Sequence, residues 1–154
     1  MTMLLNHEST MESIKLVLKN EHDRQHAIFM IEIDNFKDLN DTMGHRFGDE
    51  FLIELSRELK KIFRETDIVG RIGGDEFFVL MRNISDNAQV EGKAKDILSA
   101  IRKTSSKYAR INLSGSVGIS IYPDNGENLD ELYQKADSAL YDVKGNGKNS
   151  FTFA

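Results

Sequence analysis

Apolar residues recur along this chain with two periods, one near 3.6 residues and, in shorter stretches, one near 2. Met11, Ile14, Val17 and Leu18 share a helical face behind Ser9 and Glu12, spaced as a capping box, and predict a first helix that ends in the polar run from Asn20 to His26. Residues 27 to 33 are almost unbroken apolar, the pattern of a central strand covered on both faces. Glu32 within that run, and Asp34 beside it, place charge where charge is costly unless paired or liganded. A short helix is predicted over residues 36 to 43, closed by Gly44. After Gly48, the stripe Leu52, Leu55, Leu59, Ile62 predicts a longer one with Arg57, Lys60 and Lys61 toward water. Residues 68 to 72 and 77 to 80 read as strands around Gly73-Gly74, a pair suited to the positive φ angles of a two-residue hairpin.

In the second half, Asp86 with Gln89 opens a helix carrying Val90, Ala94, Ile97, Leu98 and Ile101 on one face. Ile111, Leu113, Val117, Ile119 and Ile121 alternate through a strand, and Pro123 and Gly126 mark the turn after it. Asn128 and Glu131 cap a last helix carrying Leu129, Leu132, Tyr133, Ala136, Leu140 and Val143, with Tyr141 also assigned to the core. Gly145 and Gly147 stop it before a short strand at 151 to 153. Helices and strands alternate without repeat, linker or low-complexity segment, which predicts one α/β domain, an α+β sandwich whose strand order periodicity leaves open.

Composition narrows the chemistry. The 154 residues include no cysteine, which removes thiolate nucleophiles, disulfides and Cys-ligated zinc. Twenty Lys and Arg against 25 Asp and Glu give a formal charge of −5, which argues against a nucleic-acid polymer as partner but not against a small anion met by local positive charge or a bound cation. No stretch approaches the ~20 apolar residues of a membrane span, and residues 1 to 5 are too short for a signal-peptide core, so the domain is read as soluble, cytoplasmic and without membrane contact of its own.

Four acidic residues converge in this reading: Glu32 and Asp34 at the end of the central strand, and Asp75-Glu76 after the glycine pair. Carboxylates from neighbouring strand ends, with a free backbone carbonyl, make a hard-oxygen site for Mg²⁺ and nucleotide phosphates; solvated loop acids are the alternative at this point. His7, His22 and His26 have no metal-ligand spacing.

The segment Arg71-Ile72-Gly73-Gly74-Asp75-Glu76-Phe77 resembles the signature of the GGDEF domain family, the diguanylate cyclases. Residues 33 to 49, from Ile33-Asp34-Asn35-Phe36-Lys37 to Gly48-Asp49, are similar to the family's other diagnostic block. Ser116-Val117-Gly118-Ile119-Ser120 matches the strand between, and residues 136 to 144 with Gly147-Lys148-Asn149 match its C-terminal block. The resemblance implies a nucleotidyl cyclase, polymerase-palm-like fold with a five-stranded, mostly antiparallel central sheet flanked by helices. It implies condensation of two GTP into cyclic di-GMP and two pyrophosphates by two domains facing each other as a homodimer, with Mg²⁺ or alternatively Mn²⁺. Phosphoryl transfer of this kind rests on positioning and charge neutralisation rather than on a covalent nucleophile.

Carried over by position, Asp75 ligates metal and helps deprotonate the attacking hydroxyl, Glu76 is a further ligand, and Ile33 offers its carbonyl. Asn40 and Asp49 read the guanine edge, Phe36 is a further GTP-site residue, and Lys37, Lys144 and Lys148 meet phosphate. Arg64 and Asp67 match the family's RxxD inhibitory site for cyclic di-GMP. The match departs at three places. Glu32 stands where the family has its first metal-binding Asp, moving the carboxylate by roughly 1.5 Å, one C–C bond, which is expected to weaken turnover. Lys148 replaces arginine. The N-terminal turn, residues 1 to 8, is only partly matched, with Met3 and His7 for Gly and Arg. The resemblance therefore implies a domain from a longer protein with an N-terminal sensory module, whose other parts can anchor it to a membrane. Two other readings stay open: a catalytically weak or inactive GGDEF domain that binds GTP or cyclic di-GMP as a signal, and a ligand-free interaction domain.

Overall fold

A computed structural model describes residues 4–107 and 111–154. Residues 1–3, where the partly matched N-terminal turn begins, lie outside the described residues. Five strands, β1 (His26–Asp34), β2 (Ile68–Arg71), β3 (Glu76–Met81), β4 (Ser114–Tyr122) and β5 (Ser150–Phe153), form one open sheet in the order β2-β3-β1-β4-β5. The pairings are antiparallel except β4 with β5. Five helices complete the described chain: α1 (His7–Asn20), α2 (Phe36–Met43), α3 (His45–Ile62), α4 (Asn87–Ser105) and α5 (Leu129–Gly145).

The apolar run of β1 is central, and its alternation sorts the core. Ala27, Phe29, Ile31 and Ile33 join Phe51, Leu55, Val90, Ile97 and Ile101 beneath α3 and α4. Ile28 and Met30 join Ile14, Leu132, Ala136 and Leu140 beneath α1 and α5. On β3, Phe77, Val79 and Met81 face the first layer and Phe78 and Leu80 the second. Period-2 geometry therefore carries Glu32 and Glu76, which lie opposite each other in the register, to the α5 side. Gly118 on β4 sets how close α5 comes, since a Cβ there would overlap the backbone of Ala136 and Leu140.

Several boundaries depart from expectation. Asn6, not Ser9, caps α1: its side chain accepts from the Ser9 backbone N–H at 2.8 Å, and the helix begins at His7. Helix α3 starts at His45 and carries Gly48 inside it, against Asn40 and Phe36 of α2. Strand β4 begins at Ser114 rather than Ile111, because the Leu113 N–H and the Ile111 carbonyl are taken by the Ser105 hydroxyl.

The two-residue hairpin is also corrected. Neither Gly73 nor Gly74 takes a left-handed φ. Arg71 pairs with Phe77, and residues 72–75 form the connection from β2 to β3. It closes through Ile72 N–H to the Glu76 carbonyl at 3.0 Å and through Arg71, whose Nε donates to the Gly73 and Gly74 carbonyls at 3.1 Å each. Tyr141, expected in the core, is 77% exposed, while Leu140 beside it is buried. No helix among the described residues is long and apolar enough to cross a membrane.

Candidate active site

The site is built at the end of β1 and β3. Glu32, Asp75 and Glu76 each bring a carboxylate oxygen within 4.8 Å of the others, all three partly buried. The Ile33 N–H donates to the Asp75 carbonyl at 3.0 Å and ties the glycine-rich connection to the central strand. A second Arg71 guanidinium nitrogen donates to the Gly74 carbonyl at 2.7 Å, so one side chain clamps the turn that presents Asp75. A side chain at Gly73 would press on the Glu76 carboxylate at 3.1 Å.

Negative charge accumulates here, and the protonation equilibria reflect it. Burial first, and then the Glu32 charge, push the Asp75 carboxyl above its ordinary value. Glu76 is pushed up by burial, then by Glu32 and Asp75. Tyr133, stacked on Phe78 with ring centroids 5.4 Å apart, is also raised, by burial and then Glu76. Among the described residues, the one direct cation partner is Lys144, in the last turn of α5, whose Nζ donates to Glu32 Oε1 and Oε2 at 3.1 and 2.9 Å. That hydrogen bond raises the lysine, against the smaller effect of burial. Three mutually repelling carboxylates with one ammonium among them fit a divalent cation with hard-oxygen preference.

Asp34 does not join this cluster, although its spacing grouped it with Glu32. It is buried and accepts from Ser114 Oγ at 2.6 Å, Ser116 Oγ at 2.7 Å and the Asn149 N–H at 3.1 Å. Its charge is consumed in joining β1 to β4 and to the turn before β5.

Beside the carboxylates, α2 and α3 form a second locus. Asn40 holds a buried Oδ1 without a hydrogen-bond partner among the described residues. A Cβ at Gly48 would overlap that oxygen and lie 3.2 Å from Phe36 Cζ, so the glycine leaves Asn40 its place. An orphaned buried acceptor is costly alone and fits a ligand donor. Asp49 follows Gly48 and is exposed, as is Lys37 in the first turn of α2. Phe36 is buried, 6.3 Å from Phe51 between ring centroids. Lys148, at φ 64°, reaches Asn35 Oδ1 at 3.5 Å, itself left-handed at φ 60° before α2.

Residues 1–150 match the family described as diguanylate cyclase, GGDEF domain. The chain belongs to the GGDEF diguanylate cyclase family. This GGDEF domain is 36% identical to diguanylate cyclase A of Treponema denticola, over 99% of the chain and 40% of that relative. It is 31% identical to the cyclic di-GMP phosphodiesterase NbdA of Pseudomonas aeruginosa, over 82% of the chain and 16% of that relative. The chain thus spans less than half the length of either. Among solved structures, the N-terminally truncated TpbB of Pseudomonas aeruginosa, comprising only its GGDEF domain, superposes with a TM-score of 0.89 at 31% identity, covering 99% of this chain and 91% of that one.

The RxxD pair of the GGDEF domain lies at the far end of the sheet. Asp67, 1% exposed in its side chain, accepts from the Arg64 backbone N–H at 3.0 Å, from Arg64 Nε at 3.3 Å and from the Arg82 N–H at 2.9 Å. Arg64, half-exposed, edges a groove of about 420 Å³ with Leu5, Lys60 and Val69. Arg71 and Gly48 are the positioning residues that spacing did not single out. A side chain that hydrogen-bonds a loop two or three residues on, and a glycine inside a helix, leave no periodic signal.

Proposed function

We propose that this domain is a diguanylate cyclase that condenses two GTP into cyclic di-GMP and two pyrophosphates. The observation that carries the reading is the Glu32–Asp75–Glu76 cluster, three carboxylate oxygens within 4.8 Å, on a family-matched frame. Glu32, Asp75 and Glu76, with the Ile33 carbonyl, would hold Mg²⁺ or Mn²⁺, which when bound neutralises charge on the phosphates. Asp75, its carboxyl raised by burial and then by Glu32, is the better base for the attacking 3′-hydroxyl. Asn40 and Asp49 read the guanine edge beside Phe36, and Lys37, Lys144 and Lys148 meet phosphate. Two copies face each other. In each, the 3′-oxygen forms a bond to the partner nucleotide's α-phosphorus as pyrophosphate leaves, and the hydroxyl proton passes toward Asp75. Cyclic di-GMP acts back at Arg64 and Asp67, where a half-exposed guanidinium edges a groove.

The test is GTP turnover with Mg²⁺ at high protein concentration, beside calorimetry with GTP and with cyclic di-GMP. Wild type yields cyclic di-GMP, Asp75→Ala abolishes it, and Glu32→Asp raises it by restoring the shorter ligand. No product from wild type, with nucleotide still bound, moves the reading to a binding module. The bidentate hold of Lys144 on Glu32, and a relative named as a phosphodiesterase, favour that second reading.

A further inference from the structure

The Glu32 carboxylate is already occupied by a cation. Both of its oxygens face Lys144 Nζ at hydrogen-bond distance, 3.1 and 2.9 Å, and it also belongs to the three-carboxylate cluster. A divalent cation on the same oxygens would stand within a few ångströms of the ammonium, where like charges repel strongly. Three features make the lysine's hold local to this chain's geometry. Glutamate extends about one C–C bond, roughly 1.5 Å, farther than aspartate toward α5. Gly118 lets α5 close on the sheet. Lys144 lies in the last turn of α5, where the helix dipole favours its charge. Its side chain is 40% exposed, so it can leave Glu32 without disturbing the core.

We propose that the Lys144 ammonium and a divalent cation are alternative occupants of Glu32, and that releasing Lys144 frees it to meet triphosphate. The inference rests on reading the carboxylate cluster as a divalent-cation site. It makes cation and triphosphate binding cooperative: the cation alone has to displace an ion pair, whereas with triphosphate present the displaced ammonium gains an anionic partner. By linkage, each ligand then raises the other's affinity by the same factor.

The experiment is titration of the whole chain with Mn²⁺ in the absence of nucleotide, read by calorimetry and by the electron-spin signal of free Mn²⁺. Wild type is compared with Lys144→Met and with Lys144→Gln, which keeps a polar tip without the charge. Both variants bind Mn²⁺ roughly tenfold more tightly than wild type, since the competitor and its repulsion are gone together. Lys144→Arg, which keeps the charge, stays near wild type. Unchanged or weaker Mn²⁺ affinity in both neutral variants overturns the competition and leaves the cyclase reading intact. Absence of Mn²⁺ binding in every protein overturns the metal reading and the competition with it. Failure of wild type to make cyclic di-GMP from GTP, alongside tighter Mn²⁺ binding in the two neutral variants, overturns only the cyclase reading.

Discussion

The two ends of β1 and β3 carry similar numbers of charges and use them in opposite ways. At the Glu32 end, three carboxylates crowd together with one ammonium, and two of the carboxyls are driven upward. At the other end, the charges interlock. Arg82 Nε donates to Glu21 Oε2 at 2.8 Å and its backbone N–H donates to Asp67, while Arg64 donates to Asp67 and to the Arg82 carbonyl. His26, fully buried, accepts the Asn83 N–H at Nδ1, which leaves Nε2 to donate to the Glu21 carbonyl. Charge balanced by its own neighbours holds strands together. Charge left in excess at a strand end is available to a ligand, and it costs stability until one arrives.

This contrast breaks first at Asp67. Removing that carboxylate by Asp67→Ala leaves the Arg82 N–H and the Arg64 groups without their acceptor, in a position where water scarcely reaches the side chain. A loss of about 3 kcal/mol follows from breaking a buried hydrogen-bonded pair, discounted because Arg64 is half-exposed. Urea unfolding measures it; a loss under about 1 kcal/mol, the size of a surface pair, would show that this end is not the structural one.

The opposite substitution at the other end has the opposite sign. Asp75→Asn with Glu76→Gln removes two carboxylates that repel each other and Glu32, without changing volume. Without metal at pH 7, the double variant melts above wild type, by less than Asp67→Ala melts below it. A fall in melting temperature would mean that the two carboxylates are held in place by contacts that stabilise the fold, and that the excess charge is not excess.

How much of this was legible beforehand depends on whether one segment or several carried the information. The uninterrupted apolar run of β1, and the capping pairs Asp86 with Gln89 and Asn128 with Glu131, are local, and the helices start where those caps placed them. Asn6 does not stand out in the sequence because Ser9 and Glu12 offer an equally local cap three residues on. The choice between them is tertiary: Thr10 packs into the space that Gly70 leaves, fixing where α1 begins against β2. The two-residue hairpin fails because a glycine pair alone does not close this turn; the four-residue connection is closed by the Arg71 side chain, which no pattern of glycines reveals. In the site, Glu32 and Glu76 share a face only once the β1–β3 register is known, and Asp34 leaves the cluster only once Ser114 and Ser116 arrive from another strand. The family motifs name the residues; the register explains why the charges of Glu32 and Glu76 meet.

The finest test separates the two ends by the slope of stability with pH. Asp75 and Glu76 titrate above their ordinary range in the folded chain, through burial first and then neighbouring negative charge. Between the unfolded value, roughly pH 4 for a carboxylate, and the raised folded one, the folded state binds more protons than the unfolded state. Stability at this end therefore declines as pH rises through that window. Glu21 runs the other way. Burial pushes it up, but the hydrogen bond and charge of Arg82, with Asn83, outweigh this and hold it below the ordinary value. Its contribution is present above the unfolded value and is lost as pH falls through the folded one. Urea unfolding from pH 3 to pH 8 with chelator present should thus show Asp75→Asn/Glu76→Gln flattening the decline above roughly pH 4, while Glu21→Gln flattens only the acid limb below it. Parallel curves for wild type and the double variant above that point would remove the distinction between the ends, because the excess charge would then have no thermodynamic consequence for a metal or a proton to relieve.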